Sequence, residues 1–252
     1  MKNKNKISVT IITGNEEGNI RECLESAKWA DEIIVVDSES TDKTVEIAKS
    51  FTEKVFIRKW EGYASQKSFA MNQASNEWVL SLDADERATQ ELAEEILSSD
   101  IDNFDGYKIR RNNYFIGKQI TGCGWGNDYQ LRLFKKSKTK LTDRLVHEGF
   151  IVDGNISELK AAMKHFSYRN LKDGFSKINE YSTLEANEKA KRKRITGLRL
   201  VFFPIWAFIQ HYFIRKGFKD GKHGLIVSLM HAITKLQVYM KIWEIKLTNH
   251  NR

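Results

Sequence analysis

Cysteine is scarce in this 252-residue sequence: there are two, Cys23 and Cys123, far apart in the chain. Such a pair offers neither a disulfide framework nor closely spaced metal-ligating thiolates, and it points to a reducing compartment. A signal-peptide core is also missing, because the basic residues 1–6 lead into only about six apolar-rich ones. A membrane-spanning helix needs about 18 to 20 apolar residues, whereas the uncharged stretch 200–214 offers 15 and is interrupted by Pro204. Two nucleotide signatures, G-x-G-x-x-G and G-x-x-x-x-G-K-[ST], are absent. Classical dinucleotide binding and P-loop phosphate binding are thereby disfavoured.

What the chain does have is a 41% hydrophobic content, enough for a real core, and a net charge of +8 that is unevenly placed. Residues 186–252 hold 14 Lys/Arg against 3 Asp/Glu, a net +11, and the first 185 residues hold 27 against 30. A basic tail on a mildly acidic body suits an anionic surface: membrane lipid, nucleic acid, or solvent alone.

The organising stretch is Trp78-Val79-Leu80-Ser81-Leu82-Asp83-Ala84-Asp85-Glu86. An apolar run that ends in three carboxylates reads as a buried strand stopping at a sheet edge, since unpartnered charges do not enter a core. In an extended segment Asp83 and Asp85 point to one side, and a divalent cation shared with a diphosphate would satisfy that pair. Upstream, residues 7–12 predict a first strand, followed by a polar turn over 13–19. A helix with Ile20, Leu24 and Ala27 on one face comes next, then a strand over 32–36 that ends in Asp37. Residues 38–42 predict a loop capping a helix through Lys49. A short strand at 55–57, a helix over 65–74 and the strand ending at Asp83 complete a β-α-β-α-β-α-β series. That series predicts a parallel sheet with helices on both faces, and three polar or acidic strand ends on one edge make a nucleotide crevice.

Four motifs in this order and spacing carry a resemblance. They are Thr13-x-Asn15-Glu16-Glu17, Val35-Val36-Asp37-Ser38-x-Ser40-Thr41-Asp42-x-Thr44, Gly62-Tyr63-x-x-Gln66-Lys67 and Asp83-Ala84-Asp85-Glu86. Together they resemble a family 2 glycosyltransferase, and within it the bacterial lipopolysaccharide-core glucosyltransferase branch, over residues 6–170. The resemblance implies an α/β GT-A fold: a Rossmann-like nucleotide-binding domain with a mainly parallel sheet (residues 1–170), here followed by a helical, basic, amphipathic extension (171–252). It also implies a nucleotide-diphosphate sugar donor, Mg²⁺ or Mn²⁺, and inversion at the anomeric carbon. Carried over residue by residue, Thr13, Asn15, Glu16 and Asp37 would hold base and ribose. Lys67 would lie near the base or diphosphate, Asp83 near the ribose and Asp85 on the metal. Read without the resemblance, Asp37 is a helix-capping loop residue and Lys67 a solvated lysine.

Further along, a glycine-rich turn over 119–126 carries Trp125 and leads to Asp128, the place where GT-A enzymes keep the acceptor site and general base. Arg144-Leu145-Val146-His147-Glu148-Gly149 is a second constellation, in which His147 would complete the metal shell, as a late histidine does in many GT-A relatives, or orient the diphosphate, and Glu148 is the alternative base. Arg132 is either a diphosphate ligand or a salt-bridge partner; His165 is either a metal or phosphate contact or a structural histidine.

In the tail, Phe202, Phe203, Trp206, Phe208, Tyr212 and Phe213 are bracketed by Arg199 and Arg215-Lys216. A second apolar helix over 225–243 is interrupted by Lys235 and Lys241. Aromatics interleaved with cations fit a helix in the headgroup region of an anionic membrane, and a packing or homo-oligomer surface is the competing reading. The expected function is hexose transfer, glucose foremost, to a lipopolysaccharide-core or other cell-envelope saccharide, free or lipid-linked, by a cytoplasmic enzyme peripheral to the inner face of the membrane. The rivals are a catalytically inactive scaffold and nucleic-acid binding through the tail. No nucleic acid is expected, because the basic residues border apolar aromatic runs. A haloacid-dehalogenase-type phosphatase is discounted, because Arg87 stands where that chemistry wants Thr or Val.

Overall fold

The structure is a computed structural model and describes residues 5–141, 149–190 and 196–250, so His147 and Glu148 lie outside the described residues. The chain forms two compact units, one of residues 1–111 and 129–165, the other of 112–128 and 166–252.

In the first unit, β1 (Ile7–Thr13) is buried at all seven positions, as a central parallel strand covered on both faces must be. The helix α1 (Ile20–Ala27) turns Ile20, Cys23, Leu24 and Ala27 inward, the stripe that the 3.6-residue period predicts. There follow β2 (Glu32–Asp37), α2 (Thr44–Lys49), β3 (Val55–Ile57), α3 (Tyr63–Gln73) and β4 (Trp78–Asp83). These reproduce the predicted alternation, with α3 starting two residues ahead of the expected 65. A tight turn then leads to β5 (Glu86–Ala88) and α4 (Gln90–Ser98). Thr89 caps α4 by accepting a hydrogen bond from the Leu92 amide. The chain continues through β6 (Gly106–Phe115), β7 (Lys118–Gln119), β8 (Asp128–Lys135), β9 (Thr139–Leu141), β10 (Phe150–Val152) and β11 (Ile156–Tyr168). Among the described residues the main sheet runs β3-β2-β1-β4-β8-β6-β11-β5, with β7 pairing β6. It is parallel from β3 to β4 and turns mixed beyond, since β8 is antiparallel to β4 and β5 to β11. The register sets Thr13 beside Asp37 and Ile12 beside Asp83, so three strand ends share one edge.

The second unit holds the glycine-rich turn and three helices, α5 (Leu171–Ala190), α6 (Gly197–Ile209) and α7 (Lys222–His250). Two expectations are corrected here. Pro204 does not end its helix: α6 passes through it and continues as a π-turn over Gln210–Ile214. A proline costs one amide bond and a kink, which a helix packed along its length absorbs. Likewise α7 runs unbroken through Lys235 and Lys241, because α5 supplies acceptors for both. Lys235 pairs with Glu185 at 2.9 Å, and Lys241 donates to the Asn179 carbonyl at 2.6 Å and to the Ser182 hydroxyl at 2.8 Å. By length and composition Gly197–Ile214 and Lys222–Thr248 are both apolar enough to cross a membrane, the first because the helix adds Gly197–Arg199 to the 15 uncharged residues 200–214.

Candidate active site

The first polar turn is held by the loop after β2. Asn15 sits at φ 53°, and its amide donates to Ser40 Oγ at 2.7 Å while its side-chain oxygen accepts from the Thr41 amide at 2.9 Å. The Glu16 amide donates to Thr44 Oγ1 at 2.8 Å and the Glu17 amide to Asp42 Oδ2 at 3.1 Å. Asp37 is fully buried and accepts the Ser40 amide at 2.8 Å. Asp37 thus shapes the loop, while Ser40 and Thr41 bolt it to Asn15, Thr44 to Glu16 and Asp42 to Glu17. Gln66, buried on α3, donates to Ser38 Oγ at 2.9 Å and fixes the same loop from below. Thr13, Asn15, Glu16 and Asp37 are therefore brought together at one edge.

Beyond β4 the three carboxylates part company. Glu86, expected at a solvated strand end, is fully buried on β5. Its charge is met by Arg132 at 2.6 Å and Arg111 at 3.2 Å, and its second oxygen accepts the Asp83 amide at 2.9 Å. Partners from β6 and β8 make that burial tolerable. Asp83 shares the same Arg132 nitrogen, Nη2, at 2.7 Å and pairs with Lys67 at 3.0 Å. Burial alone would raise its pKa, but the attraction of Arg132 and then Lys67 outweighs burial and holds Asp83 well below the usual carboxylate range. The same two carboxylates push the Arg132 pKa up against the burial that would lower it. Arg132 is a salt-bridge partner, one of its two expected roles, and Lys67 is not a solvated lysine: it is largely buried and paired with Asp83, so both bring positive charge to the strand edge.

Asp85 faces a different neighbour, with His165 Nε2 of β11 at 3.6 Å from its Oδ1. The β5–β11 register, His165 opposite Glu86, puts the imidazole there. Arg87 points into the turn and donates to the carbonyls of Ala84 and Glu86, each at 2.9 Å. Among the described residues no three His, Cys, Asp or Glu side chains form a ready metal cluster. Cys23 lies under the edge, its thiol pushed up chiefly by burial, which disfavours the reactive thiolate.

In the second unit Asn113 Nδ2 donates to Asp128 Oδ2 and to the Trp125 carbonyl, both at 3.1 Å. The glycine-rich turn before Asp128 is gripped from the helical segment. Asp220 accepts the Gly122 amide at 2.7 Å, and the Thr121 amide and hydroxyl at 3.1 and 3.0 Å. A Cβ on Gly122 would lie 2.4 Å from the Lys216 carbonyl oxygen, so only glycine fits. Sequence reasoning gave no role to Arg111 and Asp220, set Glu86 at a solvated strand end, used Arg87 only against a phosphatase, and named His165 without linking it to Asp85. The partners of Glu86, Arg111, Asp220 and His165 are distant in sequence, so no local pattern announces them.

The description "Glycosyl transferase family 2" fits residues 8–152 of the chain. An uncharacterized glycosyltransferase of Rickettsia typhi is 34% identical over 98% of this chain and 89% of its own length. The lipopolysaccharide core biosynthesis glycosyltransferase LpsC of Rhizobium meliloti is 32% identical over 94% of this chain and 92% of its own. Among solved structures, S. aureus TarS 1–349 in complex with UDP-GlcNAc is 18% identical, covers 97% of this chain and 92% of that one, and has a TM-score of 0.47. The chain belongs to glycosyl transferase family 2.

Proposed function

We propose that this glycosyltransferase moves a hexose, glucose foremost, from a nucleotide-diphosphate sugar to a hydroxyl of a lipopolysaccharide-core or other cell-envelope saccharide, with inversion. The observation that carries the reading is the division of labour at the β4 edge. Asp83 and Glu86 are balanced by Lys67, Arg132 and Arg111, while Asp85 stands opposite an imidazole. A carboxylate oxygen and an imidazole nitrogen 3.6 Å apart are a fitting donor pair for Mn²⁺ or Mg²⁺, with diphosphate oxygens as further ligands. Asp85 and His165 would hold that ion, with His147 as a third candidate, and the ion would neutralise charge gathering on the leaving diphosphate.

The chain's own residues do the rest of the work. The Asn15–Glu17 turn and the Asp37 loop offer polar groups to base and ribose. Asp83, kept ionised, is the ribose-side acceptor, and Lys67 and Arg132 place positive charge where the diphosphate would lie. Asp128, oriented by Asn113, would take the proton of the acceptor hydroxyl, with Glu148 as the competing base. Similarity over most of the chain to a lipopolysaccharide core glycosyltransferase supports the acceptor class.

The test is a donor-hydrolysis and transfer screen of UDP-, GDP- and dTDP-sugars with Mn²⁺ or EDTA. Asp85→Ala should abolish metal-dependent turnover with an unchanged circular dichroism spectrum, and His165→Ala should raise the Mn²⁺ concentration needed by about tenfold or more. Full activity of Asp85→Ala, or of the native protein in EDTA, sinks the metal reading. Asp128→Asn should lower transfer by about a hundredfold with donor binding retained. If that variant transfers normally while Glu148→Gln fails, Glu148 is the base.

A further inference from the structure

The sequence of α6 and its π-turn has one charged residue, Arg199, in 18 positions, and nothing polar marks an outer face. Packing uses one side only. Phe203 stacks on Tyr239 of α7 with centroids 4.9 Å apart, Ala207 is buried, and the buried His211 stacks on His231 at 3.8 Å. On the other side Leu198, Val201, Phe202, Ile205 and Trp206 are 44–78% exposed. Their spacing of three and four places them in one stripe, which Phe213 and Ile214 of the π-turn extend. A helix apolar on both faces is at home only where something apolar covers the second face.

The charges around the stripe say what that cover is. Arg199 at one end and Arg215, Lys216, Lys219 and Lys222 at the other are all exposed, and the only carboxylate between residues 196 and 222 is Asp220, which is buried. We propose that α6 lies flat in the headgroup region of an anionic bilayer, with this stripe toward the acyl chains and the five cations at the lipid phosphates. A second copy of the chain is the poorer occupant, because a two-fold pairing of this face would set like charges against each other. Lying flat fits better than crossing. Length alone does not decide, since 18 residues extend about 27 Å against a hydrocarbon core of roughly 30 Å. But α7, packed on α6, is bound to α5 through Lys235–Glu185 and Lys241–Asn179, and those polar pairs would be dragged into hydrocarbon.

Docking also places the glycine-rich turn. The segment that follows the stripe touches that turn directly, through Lys216 against Gly122 and Arg215 against Gly124, and Asp220 clasps it. A docked α6 therefore brings the approach to Asp128 toward the lipid surface. This last step rests on the proposed transfer to a lipid-linked saccharide; the docking itself does not.

Co-sedimentation of the full-length protein with phosphatidylcholine vesicles, with and without phosphatidylglycerol, tests it. Binding should require the anionic lipid, weaken in high salt and be reversed by alkaline carbonate. Phe202→Glu/Ile205→Glu should lower partitioning about tenfold or more while the fold and donor hydrolysis persist. Arg199→Glu/Lys219→Glu should remove the preference for anionic lipid. The proposal is overturned by a native protein that ignores anionic vesicles, by carbonate-resistant insertion, or by Phe202→Glu/Ile205→Glu binding like the native chain. Dissociation of a dimer by that variant, without any vesicle binding by the native protein, would assign the stripe to a second copy and likewise overturn it. Sedimentation is read without substrate, so a failed donor screen leaves the docking result standing.

Discussion

Arg132 serves two carboxylates from one nitrogen, Asp83 at 2.7 Å and Glu86 at 2.6 Å. Replacing it with methionine keeps much of the volume and leaves Glu86 buried with Arg111 alone. The expected cost is about 3 kcal/mol in urea unfolding, and Glu86→Gln in the same background should recover part of it. Additive losses in that double variant would show that the two side chains do not act as a unit. Asp83 and Asp85 were legible from sequence because a hydrophobic run ends in them, but the extended segment expected to set both on one side is a turn at Ala84–Asp85, and the two carboxylates face different partners. Glu86 was misjudged as part of a solvated edge, since the guanidiniums that admit it to the interior lie 25 and 46 residues away. Burial of a charge is decided by partners, and partners at that distance leave no trace in a local pattern. The pairing of Asp85 with His165 escaped notice for the same reason, because it depends on the β5–β11 register.

At the scale of elements, the turn over 119–126 is the instructive case. Its glycines and the position of Asp128 after them could be read directly. Its dependence on the segment after α6 could not, because Asp220 lies 98 residues beyond Gly122. Asp220→Ala removes three hydrogen bonds to Thr121 and Gly122. Transfer should fall about tenfold to a hundredfold, chiefly through the acceptor KM, while donor hydrolysis is kept and amide exchange at Gly122 quickens. Asp220→Asn, which keeps one carbonyl oxygen for Thr121, should fall between the two. A loss of donor hydrolysis equal to the loss of transfer would argue for a general folding defect instead. The helices themselves followed the apolar periodicity; where Pro204 and the two α7 lysines were taken as interruptions, packing and α5 acceptors overrode local propensity.

The whole molecule divides its charge as the sequence suggested, a mildly acidic body and a strongly basic tail. The alternation of strands and helices up to Asp83 was readable because each strand is a short apolar run bounded by turns. The alternation over 106–116 also marked β6, whereas the pairing order of the mixed half was not readable, since β8 and β11 are part-exposed and lack a clean period. Acid should act first on the body. Glu32 at the start of β2 gathers Lys54, Ser8 and Ser75, and although burial raises its pKa, those hydrogen bonds bring it down to about 2. A carboxylate depressed in this way stabilises the fold above its ordinary pKa of 4.5 and loses that contribution as pH falls toward 2. Glu32→Gln should therefore lower stability at neutral pH by about 2 kcal/mol, allowing for solvent screening, and flatten the loss between pH 4.5 and 2. An unchanged acid limb in denaturant titrations would locate the pH sensitivity elsewhere.

The clasp between Asp220 and the glycine-rich turn also constrains how this enzyme can be shortened or recombined. A chain cut after α5 looks like a convenient soluble core, yet it would lack the carboxylate that fixes the approach to Asp128. Such a fragment should transfer sugar at least about tenfold to a hundredfold more slowly even to a water-soluble acceptor, since it loses both that anchor and the α7 side chains Val227 and Met230 packed beside the turn. Exchanging tails between relatives would carry the same penalty unless each tail travelled with its own turn, so residues 112–128 and the helices after 166 form a single cassette for engineering.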